Sequence, residues 1–234
     1  MLTEPPAVPA QTHGRAGRNL PAAIGIGVGL GAYVVLSLIY LPPAFVALVA
    51  VALVLASVEL HEALKKQGMT SAIVPIVIGS VAISVGSYFA GRQEPVIFST
   101  TSVLLASLAL TVLASMVWRM PKGVAGYVRD VAASLLIIGY VPLLGSFAAL
   151  MLAEGRGTLR VVTFMLIVVM SDTGGYVAGV LFGKHPMAPK ISPKKSWEGV
   201  AGSLVFATVA GICMAIFVLH VPFWVGIILS VSLV

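Results

Sequence analysis

The chain has 234 residues, of which 59% are hydrophobic and 9% charged; its mean hydropathy is +1.07 and its formal net charge +6 at pH 7. Soluble domains average about 45–50% apolar and about 25% charged residues, so the composition excludes a water-soluble globule and implies an integral membrane protein. The basic residues are spread over loops rather than gathered on one helix or arm, which excludes nucleic acid as the partner, and a single cysteine, Cys213, excludes an internal disulfide.

Residues 1–20 are Pro-rich and polar and read as a flexible tail, not a cleaved leader, because the apolar run behind them is long enough to span a membrane. Apolar segments then follow at 22–40, 44–60, 71–90, 96–118, 131–152, 161–182, 199–220 and 223–234. A span needs about 20 mostly apolar residues. The expected fold is all-α, a polytopic membrane helical bundle of about eight transmembrane segments. The organisation is a tail at 1–20 and a transmembrane domain at 21–234 with a polar lysine loop at 183–198. The sequence stops inside the eighth apolar run, so that segment is expected to be truncated. Leu41-Pro42-Pro43 predicts a tight hairpin between the first two spans. Cys213, in an apolar stretch, reads as a small core residue.

Of the 14 Lys and Arg, a cytoplasmic N-terminus with eight crossings leaves only Arg92, Arg156 and Arg160 outside. By the positive-inside rule the tail and the lysine loop are therefore cytoplasmic, in a multi-pass protein of the cell membrane. In GIGVGLG, Gly25/Gly29 and Gly27/Gly31 recur at four-residue spacing. Such spacing lets helix backbones approach in lipid; it reads first as ordinary packing and is compatible with a homodimer.

The densest chemistry lies in SDTGGYVAGVLFGKHPMAPKISPKKSWEGVAGS, residues 171–203. Asp172, Gly175, Gly179 and Gly183 recur at helical spacing and share one face. If Gly183 marks the membrane edge, Asp172 lies ~16 Å deeper, about half of a ~30 Å hydrocarbon core. A carboxylate there costs at least about 2.5–3.5 kcal/mol if it faces lipid. It is expected to face a polar cavity, a cation or a metal, with the glycines leaving room for a ligand or a neighbouring helix; the structural alternative is an interhelical hydrogen bond. Further on, Pro186, Pro189 and Pro193 preclude a regular helix through 184–192. Ser192-Pro193 reads as a helix start, Ser at the N-cap and Pro at N1, which puts Lys194 and Lys195 in the first turn. A helix N-terminus with Lys184, Lys190, Lys194 and Lys195 around it suits a phosphate. Ordinary positive-inside charge accounts for the four lysines, but not for their coupling to a mid-membrane Asp. Trp197 reads as an interfacial residue and Glu198 as a cap or a lysine partner. Glu59, His61 and Glu62 sit at a helix end in VELHEALKK, as interface residues or, for Glu59, facing the cavity. His185 could touch phosphate; His220 lies at the outer boundary.

This stretch resembles the phosphatidate cytidylyltransferase (CDP-diacylglycerol synthase) family, whose members carry a similar Asp-Thr-Gly helix followed by FGKH, AP-K and SPKKSWEG elements. The match covers about thirty contiguous residues; beyond it the likeness lies in the helix number and the acidic end of the second span. The resemblance implies a membrane enzyme that makes CDP-diacylglycerol and pyrophosphate from CTP and phosphatidic acid with Mg2+. It implies Asp172, Lys194 and Lys195 as catalytic residues, Asp172 as the metal ligand, and Lys184, Lys190, Ser192, Pro193, Ser196, Trp197, Glu198, Gly175 and Gly179 as substrate-binding residues. The family's C-terminal Lys-Asp and HGG…DRxD elements have no counterpart after Gly202, and no acidic residue follows Glu198. The sequence therefore predicts a chain cut short at its C-terminus. An ion-coupled transporter also uses Gly/Pro-interrupted spans and a buried Asp, and a non-catalytic membrane subunit is the third reading. The polar motif occurs once, where a carrier is expected to repeat it in two related halves.

Overall fold

The computed structural model describes residues 20–92, 98–188 and 192–234. The tail expected at 1–20 lies outside them except for Leu20, whose backbone starts the first helix. The order is α1 (Leu20–Tyr40), α2 (Pro42–Lys66), α3 (Ile73–Ala90), α4 (Thr100–Lys122), α5 (Tyr127–Ala153) and α6 (Gly157–Phe182). A two-stranded antiparallel hairpin comes next, β1 (Pro186–Ala188) and β2 (Ser192–Ser196), then α7 (Trp197–Leu219) and α8 (Phe223–Leu233). Each expected apolar segment is a helix. Six of them, α2 to α7, are long and apolar enough to cross a membrane; Gly25–Tyr40 and Phe223–Leu233 are shorter. The all-α expectation holds apart from the hairpin, and the chain is a multi-pass membrane protein.

Local sequence explains the helix breaks. Pro42 and Pro43 do not sit in the α1–α2 turn, as the sequence suggested; they are the first residues of α2, where a missing N–H costs nothing. Leu41 alone makes the turn, and the Tyr33 hydroxyl donates across it to the Ala44 carbonyl (3.2 Å). α5 is interrupted at Val141, just before Pro142, because proline disfavours a helical residue ahead of it. One core cluster joins Val34 and Leu38 of α1, Phe45 and Val46 of α2, Tyr88 of α3, Ala149 and Leu152 of α5 and Val161 of α6. Helix alternation puts it at the end of the bundle away from the hairpin. A smaller cluster, Ile76, Ile137 and Ile138, joins α3 to α5 nearer the hairpin side. Cys213 is exposed on α7 rather than in the core, contrary to the sequence reading. An apolar environment is what both locations share, since the outer face of a membrane helix meets lipid.

The hairpin side is held by a buried ion pair. Arg119 Nε donates to Asp130 Oδ2 (2.7 Å), and its other nitrogens donate to the carbonyls of Gly123 (3.0 Å) and Ala125 (2.7 Å). Asp130 Oδ1 accepts from the Thr70 amide (2.8 Å). Both side chains are buried. The α2–α3 and α4–α5 loops are thereby tied together, and nearby the buried His61 Nδ1 lies 2.6 Å from Ser71 Oγ. Asp130→Ala leaves the Arg119 charge buried without its partner. It is expected to destabilise the fold by about 3–5 kcal/mol, read as a lower thermal midpoint in detergent, while Glu62→Ala on the exposed face of α2 leaves the midpoint unchanged.

Candidate active site

Glycine decides how α6 and α7 meet. A Cβ on Gly174 would come within 2.6 Å of the Gly202 carbonyl oxygen, and one on Gly199 within 3.2 Å of the Gly175 carbonyl oxygen. No side chain larger than hydrogen fits at the closest crossing, so the two backbones touch. In lipid, where burial between helices gains no hydrophobic energy, such van der Waals contact drives association. Ser203 Oγ donates to the Ser171 carbonyl (2.8 Å) across the same seam.

Beside this contact the helices enclose a cavity of about 580 Å3, within the range of small-molecule sites. From α6 it takes Ser171, Asp172, Gly175, Tyr176 and Gly179; from the hairpin, Met187, Ser192, Lys195 and Ser196; from α7, Gly199, Val200 and Ser203; Leu233 and Val234 complete it. Asp172 is exposed to the cavity and, among the described residues, has no ion-pair or hydrogen-bond partner. The interhelical hydrogen bond offered as its structural alternative is not made. Gly175 and Gly179 do both things expected of them: they line the cavity and admit the neighbouring helix. Gly183 lies just past the end of α6 and does not line this cavity.

The lysine loop departs from its expected form. Ser192-Pro193 does not start a helix. Ser192–Ser196 is a strand, paired so that Pro186 faces Ser196 and Ala188 faces Ser192. The helix starts at Trp197, with Ser196 as its cap, accepting from the Gly199 amide (3.2 Å). Two Ser-started turns competed within five residues. The second wins because Glu198 can then reach back: its Oε1 lies 2.6 Å from His185 Nδ1, and its Oε2 accepts from the amides of Lys184 (3.2 Å) and His185 (3.3 Å). Moving the lysines out of the first turn also removes their conflict with the helix dipole. The N-terminus of α7 still borders the cavity, through Ser196 and Gly199.

Several expected site residues stand elsewhere. Glu198 ties the segment ahead of β1 to α7 through the Lys184 and His185 amides rather than pairing with a lysine side chain among the described residues, and it engages Nδ1 of His185, the histidine that could touch phosphate. Trp197 and Lys184 are exposed and do not line the cavity, and Glu59 is exposed on α2 away from it. His220 ends α7 at the far side in a left-handed conformation (φ 54°). Lys190, and the side chains of Pro193 and Lys194, lie outside the described residues. Tyr176, Met187, Val200 and Ser203 were missed. Tyr176 carried a signal, since it falls one helical turn after Asp172 on the same face.

For a metal, the described residues hold no group of three or more His, Cys, Asp or Glu side chains. An all-protein cage is therefore not built from them. Mg2+ is commonly held by one or two carboxylates together with substrate phosphates, keeping several waters. An Asp172 with no partner among the described residues, on an open cavity, fits that shared mode.

The sequence pattern of the Cytidylyltransferase family matches residues 21–234. The chain belongs to this cytidylyltransferase family. It is 40% identical over 236 residues to the phosphatidate cytidylyltransferase of Mycobacterium leprae (strain TN), covering 94% of this chain and 73% of that protein. It is 37% identical over 239 residues to the phosphatidate cytidylyltransferase of Mycobacterium bovis (strain ATCC BAA-935 / AF2122/97), covering 97% and 75%. A phosphatidate cytidylyltransferase of Staphylococcus saprophyticus is 34% identical over 105 residues, 44% of this chain and 40% of that protein. No solved structure matches. In this cytidylyltransferase the carboxylate, the hairpin lysine and the capped helix start line one cavity.

Proposed function

We propose that this cytidylyltransferase condenses CTP with phosphatidate to give CDP-diacylglycerol and pyrophosphate. The observation that carries the reading is that Asp172, Lys195 and the N-terminus of α7 line a single cavity. A phosphatidate oxygen attacks the α-phosphorus of CTP, and the bond from that phosphorus to the bridging oxygen of the β-phosphate breaks. The pair of electrons leaves with pyrophosphate. Both reactants are polyanions, so catalysis is chiefly positioning and charge neutralisation. Lys195 meets the triphosphate and offsets charge on the departing pyrophosphate; Lys194 beside it, with Lys184 and Lys190 in the same loop, adds to the positive field. The positive end of the α7 dipole favours a phosphate there, although the Trp197 and Gly199 amides already donate to the His185 carbonyl and to Ser196 Oγ; the Ser192 and Ser196 hydroxyls can donate to a phosphate oxygen. Gly175 and Gly179 keep α6 low enough for the nucleotide to enter.

Asp172 would hold Mg2+ jointly with the phosphates. When bound, the ion supplies charge neutralisation and a template that aligns the reacting groups. The carboxylate's depth suits the lipid reactant, whose phosphate must meet a nucleotide arriving from water. The lysine loop is cytoplasmic in this reading, supported by the excess of Lys and Arg on its side of the bundle, and the membrane is the cell membrane. A homodimer belongs to the same proposal: Gly25, Gly27, Gly29 and Gly31 of α1 have nothing within 4 Å of their Cβ positions.

The test is transfer of label from CTP into lipid by the purified chain in mixed micelles, with pyrophosphate counted in parallel. Equal amounts of labelled lipid and pyrophosphate, lost when phosphatidate or Mg2+ is omitted, are expected. Pyrophosphate released without phosphatidate would make the protein a nucleotide hydrolase instead. Substrate uptake into vesicles without product would make it a carrier.

A further inference from the structure

A second cavity, of about 260 Å3, lies between α6 and α8. Its wall is apolar: Phe164 and Ile167 from α6 face Leu229 and Leu233 from α8. Thr163 also lines it, but its hydroxyl donates to the Leu159 carbonyl (2.7 Å), which leaves its methyl for the groove. The charged lining residue, Arg160, sits at the far end with its Nη1 3.6 Å from Glu154 Oε2.

The groove and the larger cavity adjoin, with Leu233 a wall of both. On α6, Arg160, Phe164, Ile167, Ser171, Gly175 and Gly179 recur every three or four residues, and so form one face. The first three line the groove and the last three the larger cavity. From Ser171 to Arg160 the face runs ~16 Å, about one leaflet of a ~30 Å hydrocarbon core. A phosphate at Asp172 would therefore have an apolar path leading away from it, as long as one phospholipid acyl chain.

The geometry points to this groove as the seat of one acyl chain of the phosphatidate substrate. The inference rests on the reaction proposed above. It commits to the substrate lipid rather than to bulk lipid because the groove adjoins, along one face of α6, the cavity that holds the carboxylate. Since bilayer tails are as apolar as leucine, the groove gains little affinity by burial. Its contribution is positioning: a seated chain fixes the phosphate against the nucleotide, where small displacements cost large factors in rate. Chain length then becomes a determinant of turnover.

The experiment uses phosphatidate with a photoreactive diazirine at the end of one acyl chain, added to the full chain in nanodiscs. Crosslinks are expected on residues 160–167 of α6 and 229–233 of α8, displaced by unlabelled phosphatidate and not by phosphatidylcholine. Labelling elsewhere, or equal displacement by phosphatidylcholine, overturns the inference. A second arm uses Leu229→Trp, which fills the groove from the exposed side of α8. It is expected to lower kcat/KM for dipalmitoyl phosphatidate roughly tenfold and to lower it less for dioctanoyl phosphatidate, whose chain occupies less of the groove. An unchanged ratio between the two lipids overturns the inference. Specific labelling of the groove without CDP-diacylglycerol formation by the unmodified chain would keep the lipid seat and remove the reaction.

Discussion

Asp172→Asn is expected to lower kcat for CDP-diacylglycerol formation by at least ~10²-fold while leaving the fold as stable as before or slightly more stable. The two halves of this result have different causes. Asn keeps the shape and removes the charge. The carboxylate lies about ten residues from the end of α6, well inside a helix long and apolar enough to cross a membrane, with no partner among the described residues. A charge at such depth costs about 2.5–3.5 kcal/mol unless its surroundings are polar, so neutralising it relieves the fold. Loss of a group that organises transition-state charge costs ~10²–10³-fold in rate by analogy with oxyanion donors. A structural aspartate gives the reverse pattern, a lower melting midpoint with proportionate activity. Turnover close to that of the unmodified chain would remove Asp172 from the mechanism.

Gly202→Ala is the second large effect, and it acts at a distance from the chemistry. A Cβ on Gly202 meets the Gly174 carbonyl oxygen at 2.6 Å and also collides with Ala178. Backbone cannot rotate away as a flexible side chain can, so α7 must move off α6. The cavity is built from both helices, so the shift separates Asp172 on one from Lys195 and the Ser196 cap ahead of the other. A misplacement of about 1 Å can cost ~10²-fold. Gly139→Ala in α5 is the control, because nothing lies within 4 Å of its Cβ position. It is expected to keep activity and to stabilise the helix by up to ~1 kcal/mol. Detergent melting curves and turnover of both variants check the pair; equal behaviour would mean that the α6–α7 contact does not position the site.

The helical architecture was legible because hydrophobic runs of membrane length have few alternatives: in lipid every backbone group must be satisfied within the segment. The helix ends were set by capping and proline; Pro42 marks such a boundary in the sequence, although it is the first residue of α2 rather than part of the turn read there. The hairpin was not legible. Its strands are short and Pro-rich, and pairing Pro186 with Ser196 depends on the Glu198 reach-back, a tertiary contact. The same holds for Arg119 and Asp130. Eleven residues and a loop separate them, and Thr70 comes from another helix pair, so the arginine read as ordinary loop charge. For the site, helical spacing was enough to put Asp172, Gly175 and Gly179 on one face. It could not say that Ser203 and Val200 of α7 complete the wall, because that follows from the α6–α7 crossing.

The account stands on Asp172 and Lys195 serving one transition state. The most direct measurement is a double-mutant cycle on kcat/KM for CTP with Asp172→Asn, Lys195→Ala and the pair. Residues that act as a unit are strongly non-additive. The account predicts that the double variant loses little more than the worse single variant. Losses that multiply would mean that the two residues act independently, and would contradict a shared site.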